Sequence, residues 1–429
     1  MKSWRLLGLV TAIFVFLLIG LAGNSRALLV LAAILLLYLA AGLLTRPTGV
    51  NLKIERKLSA TGVRQGEPVV VTVRITNCGA RLREALIEDR LPAMLEVLEG
   101  ETRLLAALDS DQMVQLSYTV RSQRGTQHFD LIDITLSDVF GIFEHKHTME
   151  ASADLLVVPQ IKYLHSVVIR PVQTRGFAGH LAARMGGSGV NFFGLREYQL
   201  GDPPRRINWR ASARPGEELY TNTFEQERIA DVGILLDARQ HTNLWVGGRL
   251  LFDCAIEAAA SLADTFLRDG NRVGLLIYGY GVSFVFPGYG KTQRERILHA
   301  LANAGSGRNY AMEKLSNLPT RLFPAKSQIV MVSPIMPEDY HTLSQLRAHG
   351  YEILLVSPNP VAFDAAGWVN RDEDLGLRFA QVERDLVLRR LQRAAIRVVD
   401  WNVDQPLDTT LHDALVRQPP VPRRVVGVA

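Results

Sequence analysis

Two stretches without a charged side chain, residues 6–23 and 27–44, open the chain, parted only by Asn24, Ser25 and Arg26. As helices each would span about 27 Å, close to the hydrocarbon thickness of a bilayer. The pattern predicts a transmembrane helical hairpin over residues 1–45. A signal peptide with a stop-transfer segment behind it is the rival reading, since Lys2 and Arg5 precede the first run. From there the period changes to two: Val69, Val71, Val73 and Ile75 share one face, and Thr72, Arg74 and Thr76 the other. Similar alternation at 115–120, 127–136 and 154–158 predicts a small antiparallel β-sandwich of the immunoglobulin-like kind over residues 50–158. Within residues 159–228, the stretch 159–189 holds no sustained period, and Gly186, Gly187, Ser188 and Gly189 read as flexible. This segment is expected to be a linker that leads into an arginine-rich motif.

Over residues 229–418 continuous apolar runs at 232–237, 273–278, 329–333, 353–357 and 396–400 alternate with helical patterns at 252–267, 291–302, 337–349 and 377–394. Strands apolar on both faces are those of a parallel sheet covered on both sides. Residues 282–286 follow the second run too closely for a crossover and predict an antiparallel edge. The fold class is therefore α/β, doubly wound, with a ligand crevice expected at the carboxyl ends of the strands. Residues 419–429 form a tail.

Charge sets the expected orientation. Lys2, Arg5, Arg46, Lys53, Arg56 and Lys57 flank the hairpin ends, against Arg26 alone in its turn. The positive-inside bias then places both termini and the soluble domains in the cytoplasm of a two-pass inner (plasma) membrane protein. Two cysteines, Cys78 and Cys254, suit a reducing compartment and supply no disulfide framework. A net charge of +5 fits a protein above an anionic leaflet and gives little support to nucleic-acid binding.

The stretch 195–214 concentrates five arginines, two acids, a tyrosine and a tryptophan. Asp202 before Pro203 reads as an N-cap with proline in the first turn, which predicts a helix carrying Arg205, Arg206, Trp209 and Arg210. Arg205 and Trp209 would then share one face and Arg206 and Arg210 the next, with Trp209 the internal anchor. Guanidinium groups beside aromatics make either an ion-pair brace or a docking surface for an anionic partner. Elsewhere, Gly290-Lys291-Thr292 lies between a strand and a helix, but Val285 stands where a phosphate loop needs its first glycine.

Gly194, Leu195, Arg196, Glu197, Tyr198, Gly201, Asp202, Arg205, Ile207, Trp209, Ser212, Ala213 and Arg214, with Glu225 and Glu227 after them, resemble the signature of the domain of unknown function 58 family. The order of parts is similar too: two membrane helices, a β-domain, this motif, then a von Willebrand factor A-like domain. The resemblance implies Arg196, Glu197, Tyr198, Gly201, Asp202, Arg205, Arg206, Trp209, Arg210 and Arg214 as motif or partner-binding residues. It also implies a partner class, the hexameric MoxR-type AAA+ ATPases. Metal-binding domains of the von Willebrand kind carry Asp-x-Ser-x-Ser after the first strand, whose hydroxyls complete an oxygen shell. Here those positions are Asp237, Arg239 and His241. Only the aspartate matches, so the position is degenerate and neither metal nor other cofactor is expected. The expected function is a membrane-anchored, non-enzymatic scaffold or assembly factor. The alternative is an enzyme or ligand sensor using the sheet-edge crevice around Asp237 and Ser333, with a small anionic ligand near Arg239.

Overall fold

The computed structural model describes residues 4–44, 50–137, 143–165, 167, 181–213, 218–312, 314–317, 322–367 and 375–417. Arg214 and the tail expected at 419–429 lie outside them. The chain is a mixed α/β protein whose contacts divide into two units, residues 1–158 and 159–429.

The first unit opens with two apolar helices, α1 (Trp4–Ala22) and α2 (Arg26–Leu44). They lie close: a Cβ added at Gly20 would sit 3.0 Å from the Leu29 side chain, so glycine lets the helices approach there. By length and composition Arg26–Leu44 can cross a membrane, and Leu6–Ala22 is apolar but shorter. Nine strands follow: β1 (Leu52–Leu58), β2 (Gly62–Arg64), β3 (Val69–Asn77), β4 (Leu82–Asp89), β5 (Leu95–Gly100), β6 (Arg103–Leu108), β7 (Met113–Ser122), β8 (Gly125–Ser137) and β9 (Glu144–Val158). They form two sheets, ordered β1-β3-β7-β5 and β2-β9-β8-β4-β6, antiparallel except for the β2–β9 pair. Val71, Val73 and Ile75 from one sheet and Ile87, Ile132 and Ile134 from the other share a single core. A charge is buried beside it. Arg56 pairs with Asp89, whose other oxygen accepts from Tyr118 Oη at 2.6 Å. Burial pushes the Asp89 carboxyl up and outweighs its two partners.

The second unit begins, among its described elements, with β10 (Leu181–Glu197), which pairs antiparallel with β11 (Tyr220–Arg228). Gly186–Gly189, read from the sequence as part of a linker, therefore lie in a strand. The register slips between Gly187 and Phe192, and glycines leave no side-chain alternation to read, which hides the strand from periodicity. Between the two strands the chain makes a 3₁₀ turn (Pro204–Arg206) and one helical turn, α3 (Trp209–Ser212). The single helix expected from Asp202 onward does not form. Pro203 and Ile207 are extended, with ψ of 126° and 127°, because Pro204 disfavours a helical residue before it and Ile207 bridges to Thr221. Asn208, not Asp202, caps α3 by accepting from the Ala211 N–H.

The rest of this unit follows the alternation read from the sequence. Its elements are β12 (Asp231–Asp237), the small hairpin β13 (Trp245–Val246) and β14 (Arg249–Leu250), α4 (Leu251–Arg268), β15 (Arg272–Tyr278), β16 (Val282–Gly288), α5 (Gly290–Ala302), β17 (Gln328–Val332), α6 (Asp339–Ala348), β18 (Glu352–Pro358), α7 (Pro360–Ala365), α8 (Leu375–Arg393), β19 (Arg397–Trp401) and α9 (Leu407–Arg417). The six-stranded sheet runs β16-β15-β12-β17-β18-β19, parallel apart from the antiparallel edge β16. Every residue of β12 and β17 is buried, as for strands covered on both faces. The chain leaves β12 toward β15 and β16, then returns to its other side through β17. The strand order thus reverses between β12 and β17, and a crevice is expected at their carboxyl ends.

Candidate functional site

Asp237 ends β12 and Ser333 follows β17, so the reversal of strand order brings them together. Ser333 Oγ donates to Asp237 Oδ2 at 2.6 Å, and its own oxygen accepts from the Ile335 N–H. The space beyond is filled by Arg239, only 4% exposed. Its Nε and Nη2 donate to the two oxygens of Asp237 at 2.9 and 2.8 Å. On its other side Nη1 and Nη2 donate to the two oxygens of Asp339 at 2.9 and 2.7 Å. A planar guanidinium is thus gripped in bidentate fashion by two buried carboxylates. Asp339, at the start of α6, also accepts from the Met336 N–H at 3.0 Å. Burial pushes the Asp237 carboxyl up, but His241 and Arg239 beside it override that and hold it far below the usual carboxylate range. The Arg239 guanidinium is likewise held charged by the carboxylates against the cost of burial.

Close backbone packing seats the cluster. Gly279 has φ +141°, and a Cβ there would lie 2.3 Å from the Arg239 nitrogen. Only glycine fits that approach. His241 Nε2 lies 3.2 Å from Asp237 Oδ2, at the rim of the cluster.

These contacts decide what the position can hold. The oxygens that would ligate a divalent cation already accept from Arg239, Ser333 and a backbone amide, and the guanidinium lies between the two carboxylates. Asp237, Arg239 and His241 do not fit a metal, since any ion would have to displace a paired cation. Among the described residues no group of three or more His, Cys, Asp or Glu side chains is placed to hold one. A second arginine closes the neighbouring stretch of the same sheet edge. Arg384 of α8 donates to Pro334 O at 2.8 Å, Ser357 Oγ at 2.9 Å and Asp400 Oδ1 at 2.7 Å, at the ends of β17, β18 and β19. Asp237, Arg239 and Ser333 were visible as neighbours in the sequence reading; Asp339 and Arg384 were not. Asp339, about 100 residues beyond Arg239, is linked to it only through the fold.

The arginine motif has the opposite character. Arg196 Nη2 meets Asp202 Oδ1 at 2.5 Å, and Asp202 Oδ2 accepts from the Gln199 N–H at 3.0 Å. The Gln199 amide first, and Arg196 second, hold the Asp202 carboxyl below its ordinary value. Arg196 also donates to the Glu197 carbonyl, and Tyr198 Oη to the Asp202 carbonyl. Gly201 turns the chain with φ +109° in open space. Across the hairpin, Asn208 donates to Asn222 at 2.8 Å, Thr221 to the Arg206 carbonyl at 3.2 Å, and the Tyr220 N–H to Ser212 Oγ at 2.8 Å. The polar braces of the turn are thus Arg196, Asp202, Asn208 and Ser212. Arg205 and Arg210 are exposed, and Arg206 is half-buried. Trp209, expected to anchor the motif internally, is 67% exposed. The one-turn helix held at its start by Asn208 leaves the tryptophan exposed. Leu195, Leu200 and Leu219 are exposed around the same turn.

Residues 194–399 match the model of the family described as protein of unknown function DUF58. No curated protein matches the chain. Solved structures similar to part of it include the CARDB domain of a Pyrococcus furiosus protein in complex with di-metal ions, at 15% identity, 27% of this chain, all of that one and a TM-score of 0.19. The cupredoxin domain of amoB from Nitrosocaldus yellowstonii matches at 14% identity over 26% of this chain and 90% of its own, with a TM-score of 0.19. A FixG-related protein from Vibrio parahaemolyticus matches at 11% identity over 26% of this chain and 98% of its own, with a TM-score of 0.18. Scores this low establish no shared fold.

Proposed function

Starting from residues 194–399 as a domain of the DUF58 family, we propose that this chain is a membrane-anchored, non-enzymatic scaffold or assembly factor that works by binding other proteins. In this reading α1 and α2 form a two-pass hairpin, and both soluble parts are cytoplasmic, as the charge bias around the hairpin favours. The two-sheet domain is immunoglobulin-like, and the second unit is a doubly wound domain of the von Willebrand factor A type. Its partner is a hexameric ATPase of the MoxR class, the class that the family resemblance implies.

The observation that carries the reading is the arginine turn. Arg196 and Asp202 brace it from within, while Trp209, Arg205 and Arg210 stay exposed. A rigid turn presenting one tryptophan and two arginines has the composition of an interface hot spot. The enzyme or sensor alternative needs room at the carboxyl ends of β12 and β17, and Arg239 takes that room.

The test is direct binding of the full chain in detergent micelles to a purified MoxR-type ATPase. Trp209→Ala, and separately Arg205→Ala with Arg210→Ala, should weaken binding by about thirtyfold, roughly 2 kcal/mol. Equal affinity of the variants and the parent protein would remove the turn from the interface. No binding by the parent protein would remove the partner.

A further inference from the structure

Helix α8 turns apolar side chains in two opposite directions. Arg384, Val387, Leu388 and Leu391 are buried. Leu375, Phe379, Val382 and Leu386 are 78, 72, 58 and 58% exposed. Isolated exposed leucines are ordinary, but four large apolar residues aligned on the outer face of one helix form a patch. Their spacing is four, three, four, that of the seam of a two-stranded coiled coil. Phe379 and Leu386 take the a positions, and Leu375 and Val382 the d positions.

The flanking charges identify what the seam fits. Arg378 and Asp385 fall at g, Glu383 and Arg390 at e. In a parallel pair each g residue meets the e residue five places later on the other helix. Arg378 would meet Glu383 of the partner subunit, and Asp385 would meet Arg390 of the partner subunit. Two-fold symmetry doubles both, so all four contacts join opposite charges. An antiparallel pairing keeps only Arg378 against Asp385 of the partner subunit. The present intrachain contacts of these groups are light: Gln381 donates to Asp385 at 2.9 Å, and Arg390 lies 6.0 Å from the Tyr340 ring.

We propose that α8 is a homodimerisation surface, pairing in parallel with α8 of a second copy of this chain. A seam of two heptads is too short to fold by itself. Here the helix is already ordered through Val387, Leu388 and Leu391, so association does not carry the cost of forming it. If the proposed anchoring also holds, two copies in one bilayer face the same way and are held at high local concentration, which favours the parallel arrangement.

The experiment is disulfide trapping of the full chain in its membrane, in a Cys78→Ser background that leaves only the buried Cys254. Val382→Cys should give an oxidant-dependent dimer, and Ser283→Cys, exposed on the edge strand β16, should not. Adding Arg378→Glu with Asp385→Lys sets like charges across the seam and should reduce the dimer yield about tenfold. Further adding Glu383→Arg with Arg390→Glu should restore it, which a folding defect would not allow. Trapping of Val382→Cys no better than Ser283→Cys would overturn the proposal. So would a preferred cross-link between Phe379→Cys and Val382→Cys copies, the mark of an antiparallel pair. A dye at position 382 that shifts to the blue on phosphatidylglycerol vesicles, with no dimer formed, would assign the stripe to a bilayer instead.

Discussion

Arg239 and the pair Arg205 and Arg210 are the same side chain put to opposite uses within one unit of the chain. Arg239 is enclosed by two carboxylates and a strand end, and its donors reach both oxygens of each acid. Arg205 and Arg210 stand in solvent on a turn whose acid, Asp202, is committed to Arg196 and the Gln199 amide. Composition does not separate the two cases. An arginine braces a fold where carboxylates surround it away from water, and it is available to a partner where the nearby acid is already engaged.

The largest expected effect follows from breaking the enclosed case. Arg239→Ala strands Asp339 as a buried, unpaired charge and leaves Asp237 only His241 and Ser333 beside it, which costs about 3–5 kcal/mol. Hydrogen exchange at the amides of Asp231–Asp237 should report that loss. Replacing all three groups together, as Asp237→Ala, Arg239→Leu and Asp339→Ala, should cost less than the single change, because no charge is left unpaired. An Arg239→Ala variant with exchange rates like the parent protein would mean that water reaches the cluster, and the contrast with the exposed arginines would collapse.

A smaller effect lies in pH. The folded Asp237 carboxyl is held below its unfolded value of about 3.9. A depressed carboxylate contributes stability that is present above the unfolded value and is lost as pH falls through the folded one. Acid should therefore erode the stability of the second unit progressively below about pH 4. Asp408, held low near His165 by a backbone and a side-chain contact that outweigh burial, adds to the same limb. The informative quantity is the difference: Asp237→Asn should start less stable and show a shallower acid limb. An unchanged limb would assign the acid sensitivity to other carboxylates.

Regularity decided what could be read from the residues alone. The apolar runs of β12, β15, β17, β18 and β19 announce themselves because a strand covered on both faces has no polar face to interrupt it. The helices between them carry the 3.6-residue period. β10 is hidden because its glycines carry no alternation, and its partner β11 lies beyond the arginine turn. The helix expected at Asp202 was a conflict of local signals: an N-cap and a proline pointed to a helix, while Pro204 and the Ile207 bridge to Thr221 kept the chain extended. At the sheet edge Asp237, Arg239 and Ser333 could be nominated from strand ends. Asp339 could not, since nothing in its local sequence refers to an arginine 100 residues earlier.

The smallest effect is expected at Trp209, and it tests the contrast from its exposed side. A tryptophan packed in a core costs about 3–5 kcal/mol on truncation to alanine. Trp209 is 67% exposed on a single helical turn whose start is fixed by Asn208 and whose end is tied to Tyr220 through Ser212. None of those hydrogen bonds uses the indole. Trp209→Ala should therefore leave the unfolding free energy within about 0.5 kcal/mol of the parent protein, as for other surface positions. The same substitution is expected to weaken binding of the proposed ATPase about thirtyfold, so stability and affinity should separate at this one residue. A drop of 2 kcal/mol or more in stability would show the indole packed within the unit and serving as a brace, as Arg239 does.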